Sequence, residues 1–145
     1  MNSYDNDLFY LCSLIEYIAR KTYNTKEYVV NKIGKDFLKK IYTLAEVYHS
    51  ENIEKISDEI INECNIENGN YKIENCKNRV PSYFEIAAIY ERLIKQISKS
   101  KEEYIDNLIK VLTSWIITKI DNYDSSMYYE NPSYIYECYK EGKVL

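Results

Sequence analysis

The chain of 145 residues is long enough for one domain, since domains commonly run to roughly 100–150 residues. Its composition is 46% hydrophobic and 29% charged, which is typical of a globular protein and excludes intrinsic disorder. The net charge of −4 disfavours nucleic acid as a partner, because proteins that neutralise phosphates usually carry a net positive domain or stripe.

Helical periodicity begins near the start of the chain. Three glycines and two prolines are too few for the turns of an all-β fold, so we expect helices where apolar residues recur every three to four positions. A first helix runs from about Asp5 to Thr22, with an inward stripe of Leu8, Leu11, Cys12, Ile15, Ile18 and Ala19. A second helix follows the N-cap Thr25 and ends at Gly34, and its inward residues are Val29, Val30 and Ile33.

Two more helices complete a predicted four-helix group over residues 1–65. The third carries an inward stripe of Phe37, Leu38, Ile41, Leu44, Ala45 and Tyr48. The fourth begins at Ser50 or Asn52, and its stripe is Ile53, Ile56, Ile60, Ile61 and Cys64. Residues 65–81 then lose the helical period, which predicts an irregular loop, with a short β-hairpin at Asn68-Gly69 as the alternative.

Two capping boxes predict a helical hairpin over residues 82–121. Ser82 and Glu85 open a fifth helix with the stripe Ile86, Ile89, Tyr90, Leu93, Ile94 and Ile97. Ser100 and Glu103 open a sixth with the stripe Ile105, Leu108, Ile109, Leu112, Trp115, Ile116 and Ile120. A short last helix begins at Asn131-Pro132 and ends near Gly142.

These elements predict an all-α fold. We expect one helical domain over residues 1–145, a compact bundle of six or seven helices whose C-terminal segment, residues 123–145, is rich in tyrosine. Neither the four-helix group nor the hairpin is comfortably large by itself, so a shared core is favoured.

No catalytic constellation is recognisable, so we expect no enzymatic activity. His49 is the single histidine, and a capping or exposed role at the end of the third helix is ordinary for it. No glycine-rich phosphate loop occurs. Cys64 and Cys76 lie twelve residues apart without a CxxC or CxxH motif, so neither a metal site nor a cofactor is expected.

The start of the chain lacks the basic region of a signal peptide. We therefore expect Cys12, Cys64, Cys76 and Cys138 to be reduced thiols of a cytoplasmic protein. No run approaches about 18 consecutive apolar residues, so we expect no membrane-spanning helix and no membrane as a partner.

One segment supports an alternative function as a DNA-binding regulator. Residues 25–42 are similar to a helix-turn-helix, with Gly34 at the turn and the densest basic cluster of the chain, Lys32, Lys35, Lys39 and Lys40. Lys35, however, occupies the position where an aliphatic anchor usually follows the turn, and Asp36 lies at the helix end that must approach phosphates. A helical hairpin inside a bundle explains the same residues, so nucleic acid stays disfavoured.

The C-terminal segment is the better candidate for a binding surface. Six tyrosines occur in residues 123–139: Tyr123, Tyr128, Tyr129, Tyr134, Tyr136 and Tyr139. The same residues, 123–139, include Asp124, Glu130 and Glu137 and contain no Lys or Arg. Tyrosine is enriched at protein interfaces, but it also packs helices together, and the sequence leaves both roles open. The partner-binding candidates are Tyr123, Tyr128, Tyr129, Glu130, Tyr134, Tyr136 and Glu137.

Residues 8–63 resemble a family of short bacterial helical proteins. The resemblance rests on Ile15-Glu16-Tyr17, Thr25, Val29-Val30, Tyr48-His49 and the stretch from Ile56 to Ile60. Such proteins are typically encoded beside ADP-ribosyltransferase-like proteins, in what look like toxin–antitoxin pairs. The resemblance implies a non-enzymatic antitoxin, immunity or inhibitor protein, acidic and helical, that covers a partner protein such as a toxin or effector.

Overall fold

The all-α prediction is confirmed. A computed structural model describes residues 6–71, 79–124 and 127–145, and these residues contain nine α-helices and no β-strand. The chain divides into two compact units, residues 1–72 and 73–145. Within the described ranges, no helix combines the length and the apolar character needed to cross a membrane.

The first unit is built around one central helix. Its helices are α1 (Asn6–Thr22), α2 (Lys26–Ile33), α3 (Lys35–Thr43), α4 (Ala45–His49) and α5 (Ile53–Glu63). The other four all pack against α1, so α1 is buried on nearly every side, including the predicted stripe. Thr25 and Asn52 cap α2 and α5, and their side-chain oxygens accept hydrogen bonds from the backbone N–H groups of Tyr28 and Glu54.

The predicted third helix is in fact two helices, because the chain breaks at Leu44. Leu44 has φ −105° and ψ 25°, outside the helical range. Its backbone N–H donates to the carbonyl of Lys40, and its own carbonyl accepts from Val47 and Tyr48, which starts α4. The break leaves Leu44 40% exposed, contrary to the predicted inward position, and keeps Ala45 in the core.

The described part of the predicted loop packs against the end of α1 and does not form a β-hairpin. The backbone N–H groups of Gly69 and Tyr71 donate to the carbonyls of Thr22 and Tyr23, at 2.7 and 2.9 Å. A Cβ atom at Gly69 would lie only 2.5 Å from the Tyr23 carbonyl oxygen, so this approach requires glycine. The hairpin alternative is absent from residues 65–71, and residues 72–78 lie outside the described part of the chain.

The second unit contains α6 (Tyr83–Ile97), α7 (Tyr104–Leu112), α8 (Ile116–Ile120) and α9 (Pro132–Glu141). Both α7 and α9 pack against α6. The predicted capping box at Ser82 is confirmed, since the Glu85 N–H donates to Ser82 Oγ and the Ser82 N–H donates to Glu85 Oε1. The predicted bounds of α9 are also confirmed by Asn131, which caps the helix, and by Gly142, which ends it with φ 77°.

The second predicted capping box is wrong. Ser100 accepts no capping hydrogen bond, and Glu103 accepts instead from the backbone N–H of Lys99. The chain passes through a 3₁₀ turn at Lys101–Glu103 before α7 begins.

The predicted sixth helix is also interrupted after Leu112. The hydroxyls of Thr113 and Ser114 donate to the carbonyls of Ile109 and Val111, at 2.6 and 2.7 Å. Such side-chain bonds compete with the backbone hydrogen bonds of a helix. Thr113 and Ser114 lie between the end of α7 and the start of α8.

Candidate protein-binding surface

The predicted tyrosines divide between the core and the surface of the second unit. Tyr123 is 1% exposed and packs edge-on against Tyr128, with ring centroids 5.5 Å apart. Tyr128 is half-buried and Tyr129 is 61% exposed, and their rings also meet edge-on, at 4.9 Å. In this structure Tyr123 therefore packs the core, whereas Tyr129 offers most of its ring to solvent.

The tyrosines of α9 are occupied by contacts within their own segment. The Tyr134 hydroxyl donates to the backbone carbonyl of Leu145. Lys140 Nζ lies 5.4 Å from the centroid of the Tyr136 ring and 3.4 Å from Glu137 Oε2. Tyr134, Tyr136 and Glu137 are all half-buried, so they are weaker surface candidates than Tyr129.

Two aromatic residues that the sequence analysis did not single out lie at the beginning of α6. The rings of Tyr83 and Phe84 are 4.2 Å apart between centroids, and Phe84 is 50% exposed. A signal for Phe84 was available in the sequence, because it falls off the apolar stripe that runs from Ile86 along α6. An apolar ring on the polar side of a helix predicts exposure.

Arg79 is bonded to the first turn of α6, which also carries Tyr83 and Phe84. Its guanidinium donates two hydrogen bonds to the Glu85 carboxylate, Nη1 to Oε1 at 3.1 Å and Nη2 to Oε2 at 2.8 Å. The bonds from Arg79 and from the Ser82 backbone lower the pKa of Glu85 to about 2. Glu85 raises the pKa of Arg79, and nearby Tyr128 and Tyr129 raise it further.

Arg79 is therefore bonded to the first turn of α6, and Tyr128 and Tyr129 act on its charge electrostatically. We call Tyr83, Phe84, Tyr128 and Tyr129 the aromatic patch. The sequence around Tyr128 and Tyr129 is acidic: residues 120–139 contain Asp121, Asp124, Glu130 and Glu137 and no Lys or Arg.

The lysines of the alternative function lie together on the first unit, on α2 and α3. Lys32, Lys35, Lys39 and Lys40 are all exposed, as is Asp36 among them. Gly34 alone joins α2 to α3, with φ 81°, whereas helix-turn-helix motifs use a turn of about three or four residues. The segment departs from that motif in its connection as well as in its charge.

The candidate catalytic and metal-binding side chains are dispersed. His49 is exposed at the end of α4, with its ring 5.1 Å from that of Tyr10. Cys12 and Cys138 are buried, and Cys64, expected inside, is only half-buried. Burial raises the pKa of the Cys64 thiol, which opposes thiolate formation. Cys76 lies outside the described residues, and within them no three His, Cys, Asp or Glu side chains converge as metal ligands.

The first unit also contains a buried cluster of charged residues that was not predicted from the sequence. The Glu16 carboxylate accepts hydrogen bonds from Lys26 Nζ and Arg20 Nε, both at 2.6 Å. Burial opposes its charge, but Lys26 and Arg20 outweigh burial and lower the pKa of Glu16. The side chains of Glu16 and Lys26 are 3% and 5% exposed, so the pair joins α1 to α2 inside the core.

Comparison of the chain with family models, with curated proteins and with solved structures finds no match.

Proposed function

We propose that the chain is a non-enzymatic protein-binding module that acts as an antitoxin, immunity or inhibitor protein and covers a partner protein in the bacterial cytoplasm. The observation that carries the proposal is the exposure of two large rings of the aromatic patch, 50% for Phe84 and 61% for Tyr129. Rings of this size supply much of the contact energy at the centres of protein interfaces. Tyr129 lies in an acidic segment of the chain, and Phe84 directly precedes Glu85.

The acidic setting selects the chemistry of the partner. The carboxylates that accompany Tyr128 and Tyr129 in the sequence favour a partner that brings basic and apolar side chains to these rings, and they repel nucleic acid phosphates. The resemblance of residues 8–63 to helical proteins encoded beside ADP-ribosyltransferase-like proteins makes the product of a neighbouring gene the first partner to test.

Alanine substitution of the two exposed rings tests the proposal. We expect Phe84→Ala and Tyr129→Ala each to cost about 2 kcal/mol of binding free energy, or about thirtyfold in Kd. Their melting temperatures should change little, because both side chains are exposed in the isolated chain. The measurement is calorimetric titration of each purified full-length variant with the neighbouring gene product.

Two controls distinguish this surface from the rest of the chain. Leu44 and Val47, which are 40% and 64% exposed on the first unit, match the exposure of the two rings. Their alanine variants should bind normally, as should the triple reversal of Lys35, Lys39 and Lys40 to glutamate. If the reversal abolishes binding and Phe84→Ala and Tyr129→Ala bind normally, the proposal is wrong and the lysine surface takes its place.

A further inference from the structure

A cleft of about 210 Å³ lies on the second unit between α6 and the start of α9. Its apolar wall comes from both elements: Ala88, Ile89, Leu93, Pro132 and Ile135. Leu93 and Ile135 are buried, whereas Ala88, Ile89 and Pro132 remain half-buried, so the wall stays open to solvent. An apolar cavity of roughly 150 Å³ suffices to bind benzene, so this cleft has room for one large apolar side chain.

Two side chains of opposite charge line the cleft. Arg92 is exposed on α6, and Glu130 is half-buried in the residues that lead into α9. Within the described ranges neither side chain forms an ion pair, with the other or with any other residue. Glu130 directly follows Tyr129 in the chain, so the cleft adjoins the aromatic patch.

We infer that this cleft receives one aliphatic or aromatic side chain from a partner protein segment that also carries an acidic and a basic residue flanking it. This inference rests on the proposed function, for which it supplies the anchoring contact. The apolar side chain fills the wall, the acidic residue meets Arg92 and the basic residue meets Glu130. Anchors of this kind, seated in a pocket and framed by polar groups, commonly dominate interface energetics.

Charge complementarity favours this occupant over simpler ones. An uncharged apolar segment would cover Arg92 and Glu130 without pairing either, which costs desolvation energy. A purely basic segment would satisfy Glu130 but place a like charge against Arg92. A dipolar segment pairs both charges while its apolar side chain occupies the cleft.

A synthetic peptide tests the inference without knowledge of the partner. The probe is a capped, alanine-based helical peptide of about 15 residues that carries Glu, Leu and Lys one helical turn apart. Titrated into the ¹⁵N-labelled full chain, it should cause saturable shifts of the amide resonances of Ala88, Leu93 and Ile135. Ala88→Phe, which fills the cleft, and Glu130→Lys should each weaken binding about tenfold.

A charge exchange and a matched variant complete the design. The Glu130→Lys variant should regain affinity for a second peptide in which the lysine is replaced by glutamate, a rescue that does not depend on how Ala88→Phe folds. Glu141→Lys makes the same charge change at an exposed position of α9 and should bind the first peptide normally.

Three results would overturn the inference: no saturable shift at the cleft amides, binding that survives both cleft variants, or concentration-dependent shifts of the same amides without peptide. The last would assign the cleft to a second copy of the chain. Any of these can occur while Phe84→Ala and Tyr129→Ala still weaken partner binding, so failure here is distinguishable from failure of the proposed function.

Discussion

Glu16 is a charged residue in the middle of the helix that forms the centre of the first unit. The stripe predicted for α1 is buried, but Tyr10, Leu14 and Glu16 on its other sides are buried as well. Periodicity identifies the face that turns inward, yet it does not reveal that four helices surround α1. For that reason neither the burial of Glu16 nor its bond to Lys26 was predictable from local sequence.

Removing one partner of this buried pair should be costly. We expect Lys26→Met to lower the free energy of unfolding by about 3 kcal/mol, because it leaves the buried carboxylate with Arg20 alone. The double variant Glu16→Met/Lys26→Met should recover part of this loss, since it removes both buried charges. Urea denaturation followed by circular dichroism measures the difference.

The neighbouring Lys21 provides the control for this substitution. Lys21 Nζ pairs with Asp58 at 2.5 Å, but the two side chains are 30% and 61% exposed. Exposed pairs contribute little, so Lys21→Met should cost less than about 1 kcal/mol. Equal losses for Lys21→Met and Lys26→Met would contradict the structural role assigned to the Glu16 pair.

At the scale of elements, the sequence located the helices but not the breaks within them. Helix starts with a short polar cap, such as Thr25, Ser82 and Asn131, were predicted because the cap bonds only to its own first turn. The interruptions at Leu44 and after Leu112 were missed because the apolar period continues across both. At Thr113 and Ser114 the hydroxyl bonds to preceding carbonyls decide where α7 ends, and a stripe of apolar residues carries no information about them.

The two predicted capping boxes offer a matched pair of substitutions. Ser82→Ala removes a formed cap and should cost about 1 kcal/mol of stability. Ser100→Ala should cost much less, because Ser100 accepts no capping bond. Thermal unfolding of the two variants measures this difference, and a Ser100→Ala variant as destabilised as Ser82→Ala would show that the second box does form.

At the scale of the whole molecule, composition and charge could predict the fold class and the chemistry of a surface. They could not predict which residues form that surface. The tyrosine-rich segment was recognised from the sequence, although Tyr123 turned out to be buried and Phe84 lies some forty residues earlier. Contacts between distant parts of the chain, such as the packing of α9 on α6, decide which rings remain exposed. The lysines of α2 and α3 are also exposed, so exposure alone does not select a binding surface. We propose the aromatic patch because carboxylates accompany Tyr128 and Tyr129 in the sequence.

Amide hydrogen exchange of the full chain, alone and in complex with the neighbouring gene product, tests the central claim most directly. The first backbone amides of a helix lack partners within the helix and exchange quickly when exposed, so Tyr83 and Phe84 are sensitive reporters. The proposed function predicts slowed exchange at residues 83–84 and 127–135 in the complex and unchanged exchange at residues 32–40. Slowed exchange confined to residues 32–40, with residues 83–84 and 127–135 unchanged, would contradict it.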